Sequence, residues 1–108
     1  MAASRFEAGQ VVTVFRNVLR AEGVEEYGEH ARQIRELAGT MPGFVDAKTF
    51  TADDGERVTV VTFADQASND AWRDQVDHRA AQAAGRSTYY ERYSIQVCTA
   101  VRASEFER

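Results

Sequence analysis

Regular patterning begins at Val11, where Val11-Val12-Thr13-Val14-Phe15 is β-branched or aromatic at every position. A run that is apolar on both faces suits a central strand, so Val11–Arg20 is predicted as the first strand. From Val24 the period lengthens. Val24, Tyr27, Ala31, Ile34, Ala38 and Met41 recur at helical spacing, while Glu25, Glu26, Glu29, Arg32, Gln33, Arg35 and Glu36 fill the other face. This predicts an amphipathic helix with its acids early and its arginines later, as the helix dipole prefers. Met41-Pro42-Gly43 ends it, because proline cannot continue the ladder.

Phe44–Thr51 and Arg57–Phe63 read as two strands joined by Ala52-Asp53-Asp54-Gly55-Glu56, whose Asp-Gly pair supplies the positive φ of a hairpin. Asp65 offers an N-cap to a second helix with Ala67, Ala71, Trp72 and Gln75 on one face. A break is expected near Val76-Asp77-His78, with Asp77 capping a further helical run to Arg86. In Arg92–Arg102, Tyr93, Ile95, Val97, Thr99 and Val101 alternate with Ser94, Gln96, Cys98 and Ala100. Both sets are fairly apolar, which predicts an internal or interface strand.

The order β-α-β-β-α-β implies an α+β, ferredoxin-like fold, with the helices on one face of a four-stranded antiparallel sheet. The domain is expected over 9–103, with 1–8 as a loose lead-in and 104–108 as a tail. The uncovered face would expose roughly several hundred Å² of Val and Thr surface, more than monomers usually tolerate. A homodimer of facing sheets is therefore predicted. Length sharpens this expectation, since 108 residues bury only roughly 65% of their unfolded surface and leave little room for both a core and a cavity.

Charge and cysteine usage narrow the function. Asp plus Glu number 17 against 13 Lys plus Arg, a net charge of −4, so the concentrated positive field that nucleic acid requires is not expected. Cys98 is the single cysteine. It allows no internal disulfide or cysteine-rich zinc site, reads as a buried inert thiol, and fits a cytoplasmic location. No stretch approaches the roughly 20 apolar residues of a membrane span, and the N-terminus lacks a signal-peptide core.

Several segments carry a family likeness: Phe15-Arg16-Asn17-Val18-Leu19 ending the first strand, Met41-Pro42-Gly43-Phe44 after the first helix, Phe63-Ala64-Asp65 at a strand exit, and Ala71-Trp72 leading to His78-Arg79-Ala80-Ala81. Together they make the chain, from Val11 to Val101, resemble the antibiotic-biosynthesis-monooxygenase superfamily of dimeric α+β barrels. That resemblance implies a choice among cofactor-independent monooxygenases of aromatic polyketides and quinols, haem-degrading enzymes, and members without known activity. In the haem-degrading branch a first-strand asparagine and a second-helix tryptophan hold the ligand, positions that match Asn17 and Trp72. The haem histidine of that branch falls at Gln82, an amide that ligates iron poorly, with His78 one turn earlier.

Beside that resemblance, the residues offer candidate chemistry of their own. Asn17, an amide in an apolar strand, must either bond nearby backbone or donate to a substrate oxygen. Trp72 is either core or a flat pocket wall. His78 can exchange protons near neutrality. Arg79 and Arg86, two helical turns apart, can clamp an enolate or carboxylate, or simply pair with acids at the surface. Phe44, Phe63 and Tyr90 belong to an aromatic-rich set that can line an apolar cavity between sheet and second helix. The expected activity is oxygenation of an electron-rich aromatic or quinol by O₂ without metal or flavin, with Asn17, His78 and Trp72 catalytic and Arg86, Arg79, Phe44, Phe63 and Tyr90 binding substrate. The alternative is a haem or hydrophobic-ligand binder of the same fold.

Overall fold

The computed structural model describes residues 5–22, 24–75 and 89–108. Its elements run β1 (Val11–Leu19), α1 (Val24–Thr40), β2 (Phe44–Thr51), β3 (Arg57–Phe63), α2 (Gln66–Asp74) and β4 (Tyr90–Thr99). The strands form one antiparallel sheet in the order β2-β3-β1-β4, which is the ferredoxin-like α+β fold. The helical run expected from Asp77 to Arg86 lies outside the described residues.

Local chemistry accounts for the joints. The β2–β3 hairpin closes through Gly55, at φ 93°, whose N–H donates to the Ala52 carbonyl at 2.9 Å while the Ala52 N–H donates to Glu56 at 2.8 Å. Only the glycine of the Asp-Gly pair takes positive φ, so this is a short loop ending in a left-handed residue rather than a two-residue turn. Gly43 is required twice over. Its φ is 81°, and a Cβ there would fall 2.2 Å from Ser68 Oγ, so the β2 entry lies directly against the start of α2. The Asp65 carboxylate caps α2 by accepting the Ser68 N–H at 2.8 Å.

Residues directly opposite in neighbouring strands share a face, and faces alternate along each strand. Thr13, Phe15 and Asn17 of β1 thus share the helix-covered face with Val61, Thr59 and Arg57 of β3 and with Val97, Ile95 and Tyr93 of β4. The opposite face pairs Val12, Val14 and Arg16 with Thr62, Val60 and Val58, and none of these valines is fully buried. The helices pack on the first face, leaving Tyr93, Ile95 and Val97 of the edge strand exposed, and no helix among the described residues covers the second, bare face, although Thr62 there is buried.

Four expectations change. The last strand, expected as an internal or interface strand, lies at the edge of the sheet and so is not internal; its residues 91–99 are exposed. It also begins at Tyr90, earlier than Arg92, because Arg20 N–H reaches the Tyr89 carbonyl at 2.8 Å and Leu19 pairs with Tyr90. Cys98, expected to be buried, is exposed, since it sits on that edge and on the bare face opposite Val12. Arg5 to Ala8, expected to be loose, are tied down by Gln10, whose amide donates to the Arg5 carbonyl at 2.8 Å and accepts the Glu7 N–H at 3.0 Å.

The core occupies one end of the helix-covered face. Phe63 is fully buried and packs with Trp72 and Ala38, and Ile34, Leu37, Met41, Phe44 and Val61 close around them. The Phe63 and Trp72 rings stack at 6.3 Å, and Phe44 meets Phe63 edge-on at 5.8 Å. Such burial stabilises by about 1.5–3 kcal/mol for each large side chain.

Candidate functional site

Packing loosens toward the other end of the same face, leaving a cavity of about 450 Å³ between the sheet and both helices. The sheet floors it with Thr13, Phe15, Thr59 and Val61, α1 contributes Tyr27, Ala31, Ile34 and Ala38, and α2 contributes Asn69 and Trp72. Both helices form the wall, where the sequence had pointed to the second alone. Floor hydroxyls are paired with one another or with α2: Thr49 and Thr59 bond at 2.8 Å, and Thr13 donates to Asn69 Oδ1 at 3.4 Å.

A β-bulge builds the far end. The β1–β4 register shifts between Val18 and Leu19, so that Val18 opposes Arg92 and Leu19 opposes Tyr90. Strict alternation would send Tyr90 and Tyr93 to opposite faces, whereas the extra residue turns both toward the cavity. They join Phe15, Tyr27 and Tyr89 in a ring network with centroid separations from 5.4 to 6.5 Å. Tyr90 donates its hydroxyl to that of Tyr27 at 3.4 Å. Burial, reinforced by this bond, pushes the Tyr90 phenol well above its ordinary range, so it stays protonated and acts as a donor. The Arg57 guanidinium lies over the Tyr27 ring, 5.1 Å from its centroid, in cation–π geometry.

Asn17 sits one position below Phe15 on the same face, opposite Arg57 on one side and Tyr93 on the other. It is 1% exposed, and neither its Nδ2 nor its Oδ1 has a hydrogen-bond partner among the described residues. Orphaned buried amides are rare, because each unpaired group costs about 1–3 kcal/mol. Asn17 is not itself a lining residue, although both of its cross-strand neighbours are.

The structure brings Trp72 and Tyr90 together on the cavity wall and places Asn17 beside it. Phe44 and Phe63, expected to bind substrate, lie instead in the packed core beneath Trp72, since the register shift between Phe44 and Asp46 aligns Phe44 with Phe63 at the filled end. His78, Arg79 and Arg86 lie outside the described residues. Sequence reasoning missed Arg57, Tyr27, Thr13 and Asn69. The signal for Arg57 was its alternation with Thr59, Val61 and Phe63, which assigns it to the helix-covered face.

The sequence model for "Antibiotic biosynthesis monooxygenase" matches residues 10–84. The chain belongs to this family. Family membership agrees with the split βαβ topology, which structural neighbours share. Among relatives, the Bacillus subtilis protein YqjZ, described as uncharacterised, is 32% identical over 82% of this chain and 78% of its own length. A Mycobacterium tuberculosis protein of solved structure superposes with a TM-score of 0.79 at 12% identity, covering 90% of this chain and all of that one. SnoaB, a cofactor-independent oxygenase from Streptomyces nogalater, superposes at 0.74 with 17% identity over 89% of this chain and 97% of its own. At these identities the structural likenesses speak for the fold alone. No helix among the described residues is long and apolar enough to cross a membrane.

Proposed function

We propose that the protein is a cofactor-independent monooxygenase acting on an electron-rich aromatic or quinol, working as a cytoplasmic homodimer with O₂ as co-substrate. The observation that carries this reading is the orphaned Asn17 amide beside a tyrosine- and tryptophan-lined cavity. A ligand oxygen entering that end would give the amide the partner it lacks, and Trp72 would stack on the ring. His78, Arg79 and Arg86 are retained as proton-accepting and anion-binding candidates.

The chemistry requires no group beyond substrate and O₂. Once the substrate loses a proton, its anion passes one electron to O₂; the resulting radical pair joins to form a C–O bond and a hydroperoxide. Loss of water then leaves one oxygen atom in the product quinone and the other in H₂O, the four electrons that reduce O₂ coming from the substrate's phenolic O–H bond and one ring C–H bond. The protein's share is to bind and orient the anion and to exclude water from the radical pair. Membership of the antibiotic biosynthesis monooxygenase family, together with a fold shared with the cofactor-independent oxygenase SnoaB, supports this scheme.

Among the described residues lining the cavity none carries an imidazole, thiolate or thioether, which leaves tyrosine phenols as the side chains there of a type that holds haem iron. Tyr90 is held protonated by burial and its bond to Tyr27, which disfavours it as a phenolate ligand. An oxygen electrode with a panel of hydroquinones and hydroxynaphthalenes tests the proposal: uptake is expected, reduced in Asn17→Ala and Trp72→Phe. Rates unchanged in those variants and in His78→Ala would overturn it. A sharp Soret shift on haem titration, lost in His78→Ala, would replace it with the haem-binding reading.

A further inference from the structure

The charges around the cavity are one-sided. In a chain of net charge −4, not one described lining residue is Asp or Glu, whereas Arg35, Lys48, Arg57 and Arg73 all contribute to the lining. Two of these four are otherwise engaged. Lys48 shares the bare face with Val60, its ammonium 5.5 Å from the Phe50 ring. Arg73 is ion-paired with Asp70 and Asp74 at 3.5 and 3.4 Å. Arg35 and Arg57 form no ion pair with any described carboxylate, in contrast to Arg16 and Arg32, which do.

Arg57 is the better placed of the pair. It is half-buried, it projects from the same sheet row as Asn17, and its guanidinium is braced over Tyr27, whose hydroxyl is bonded to that of Tyr90. One corner of an apolar cavity therefore holds a planar cation and two phenols beside an orphaned amide. A guanidinium without a counter-ion among the described residues is costly in such a setting unless a ligand supplies the charge. Arg35 stands on α1 two turns beyond Tyr27 and remains exposed, where it adds to the positive field that a ligand meets on entry.

We infer that the cavity selects an aromatic anion, and that Arg57 is the residue that determines this specificity by pairing with the ligand's carboxylate or phenolate oxygen. The inference rests on the cavity being the ligand site of the proposed oxygenase, and goes further than it by assigning the ligand a charge on arrival and naming the residue that reads it.

Equilibrium titration of Trp72 fluorescence without turnover tests it, using 2-naphthoate, its neutral analogue 2-naphthamide, and a nitronaphthol that is ionised at neutral pH. At least one anion should bind about 10- to 100-fold more tightly than the amide, the range expected for a charged hydrogen bond. Preference for naphthoate alone identifies a carboxylate ligand, and preference for the naphtholate alone a phenolate. Arg57→Gln should erase the preference while leaving naphthamide binding unchanged, and Arg57→Lys should keep part of it. Equal binding of charged and neutral ligands, no binding of either anion, or a preference that survives Arg57→Gln would overturn the inference. Should Arg57→Gln fail to fold, the wild-type ratio and Arg57→Lys still decide. The oxygenase reading fails separately: a chain that consumes no oxygen with quinols yet prefers naphthoate loses that reading and keeps this one.

Discussion

Replacing Asn17 with valine should make the free protein more stable while impairing ligand binding. Valine removes both polar atoms and suits a strand, at the loss of one side-chain heavy atom. Each unpaired amide group, Nδ2 and Oδ1, costs about 1–3 kcal/mol, and the lost packing is worth only about 0.8 kcal/mol. The net gain should be about 1 kcal/mol or more. For 108 residues the unfolding entropy is about 0.23 kcal/mol per K, so Tm should rise by about 4 °C or more. Thermal unfolding followed by circular dichroism, at one fixed protein concentration because dimer dissociation would shift Tm, reads the change. Oxygen uptake measured on the same samples should fall. A loss of 1 kcal/mol or more would mean that the amide is well bonded in the free protein, since two satisfied hydrogen bonds would cost about 1–3 kcal/mol to remove. The functional reading of Asn17 would then lose its basis.

Other consequences are open to direct measurement. Trp72→Ala should destabilise by about 3–5 kcal/mol in urea titration, because the ring is buried against Phe63, whereas Trp72→Phe should fold and lose oxygen uptake; equal effects of the two on uptake and stability would make Trp72 a core residue only. Light scattering at micromolar concentration should give twice the chain mass, and Val14→Glu, on the bare face opposite Val60, should give the monomer; a monomeric wild type would refute the facing-sheet dimer. The Ser68 N–H and hydroxyl hold the Asp65 carboxyl below its ordinary value. Its stabilisation is therefore present above the unfolded pKa of about 3.9 and is lost as pH falls through the lowered one. Tm should drop more between about pH 6 and about pH 3 in the wild type than in Asp65→Asn, and identical drops would contradict this sign.

Element order was readable because each segment keeps its own period. Val24 to Met41 holds helical spacing throughout, Asp65 and Gly43 sit where caps and turns require them, and the strand limits of β2 and β3 agree with the structure. Position within the sheet was less accessible. β4 alternates two apolar sets, a pattern that a central strand and an exposed edge share, so its edge placement and the exposure of Cys98 depend on strand order rather than on local sequence. The site was legible where a residue is chemically out of place, as Asn17 is in an apolar strand. It was opaque where placement depends on pairing. Arg57 looks like a charged residue beside a turn until the register sets it opposite Asn17, and Tyr90 faces the cavity only because of the bulge near Val18. Tyr27 was read correctly as part of an apolar helical stripe, yet the stripe does not say which of its members border empty space.

The alternation of faces along β1 also bears on how such a chain can diverge. Thr13, Phe15 and Asn17 lie on the cavity's side of the sheet, and Val12, Val14 and Val18 on the bare face, so point substitutions can retune one set and leave the other untouched. Insertion or deletion of a single residue is a different event, because it exchanges the two sets at once and forfeits both surfaces. Lineages that keep this sheet should therefore vary freely in residue identity at fixed strand length. Whole-fold superposition at 12% identity is the signature such a constraint would leave.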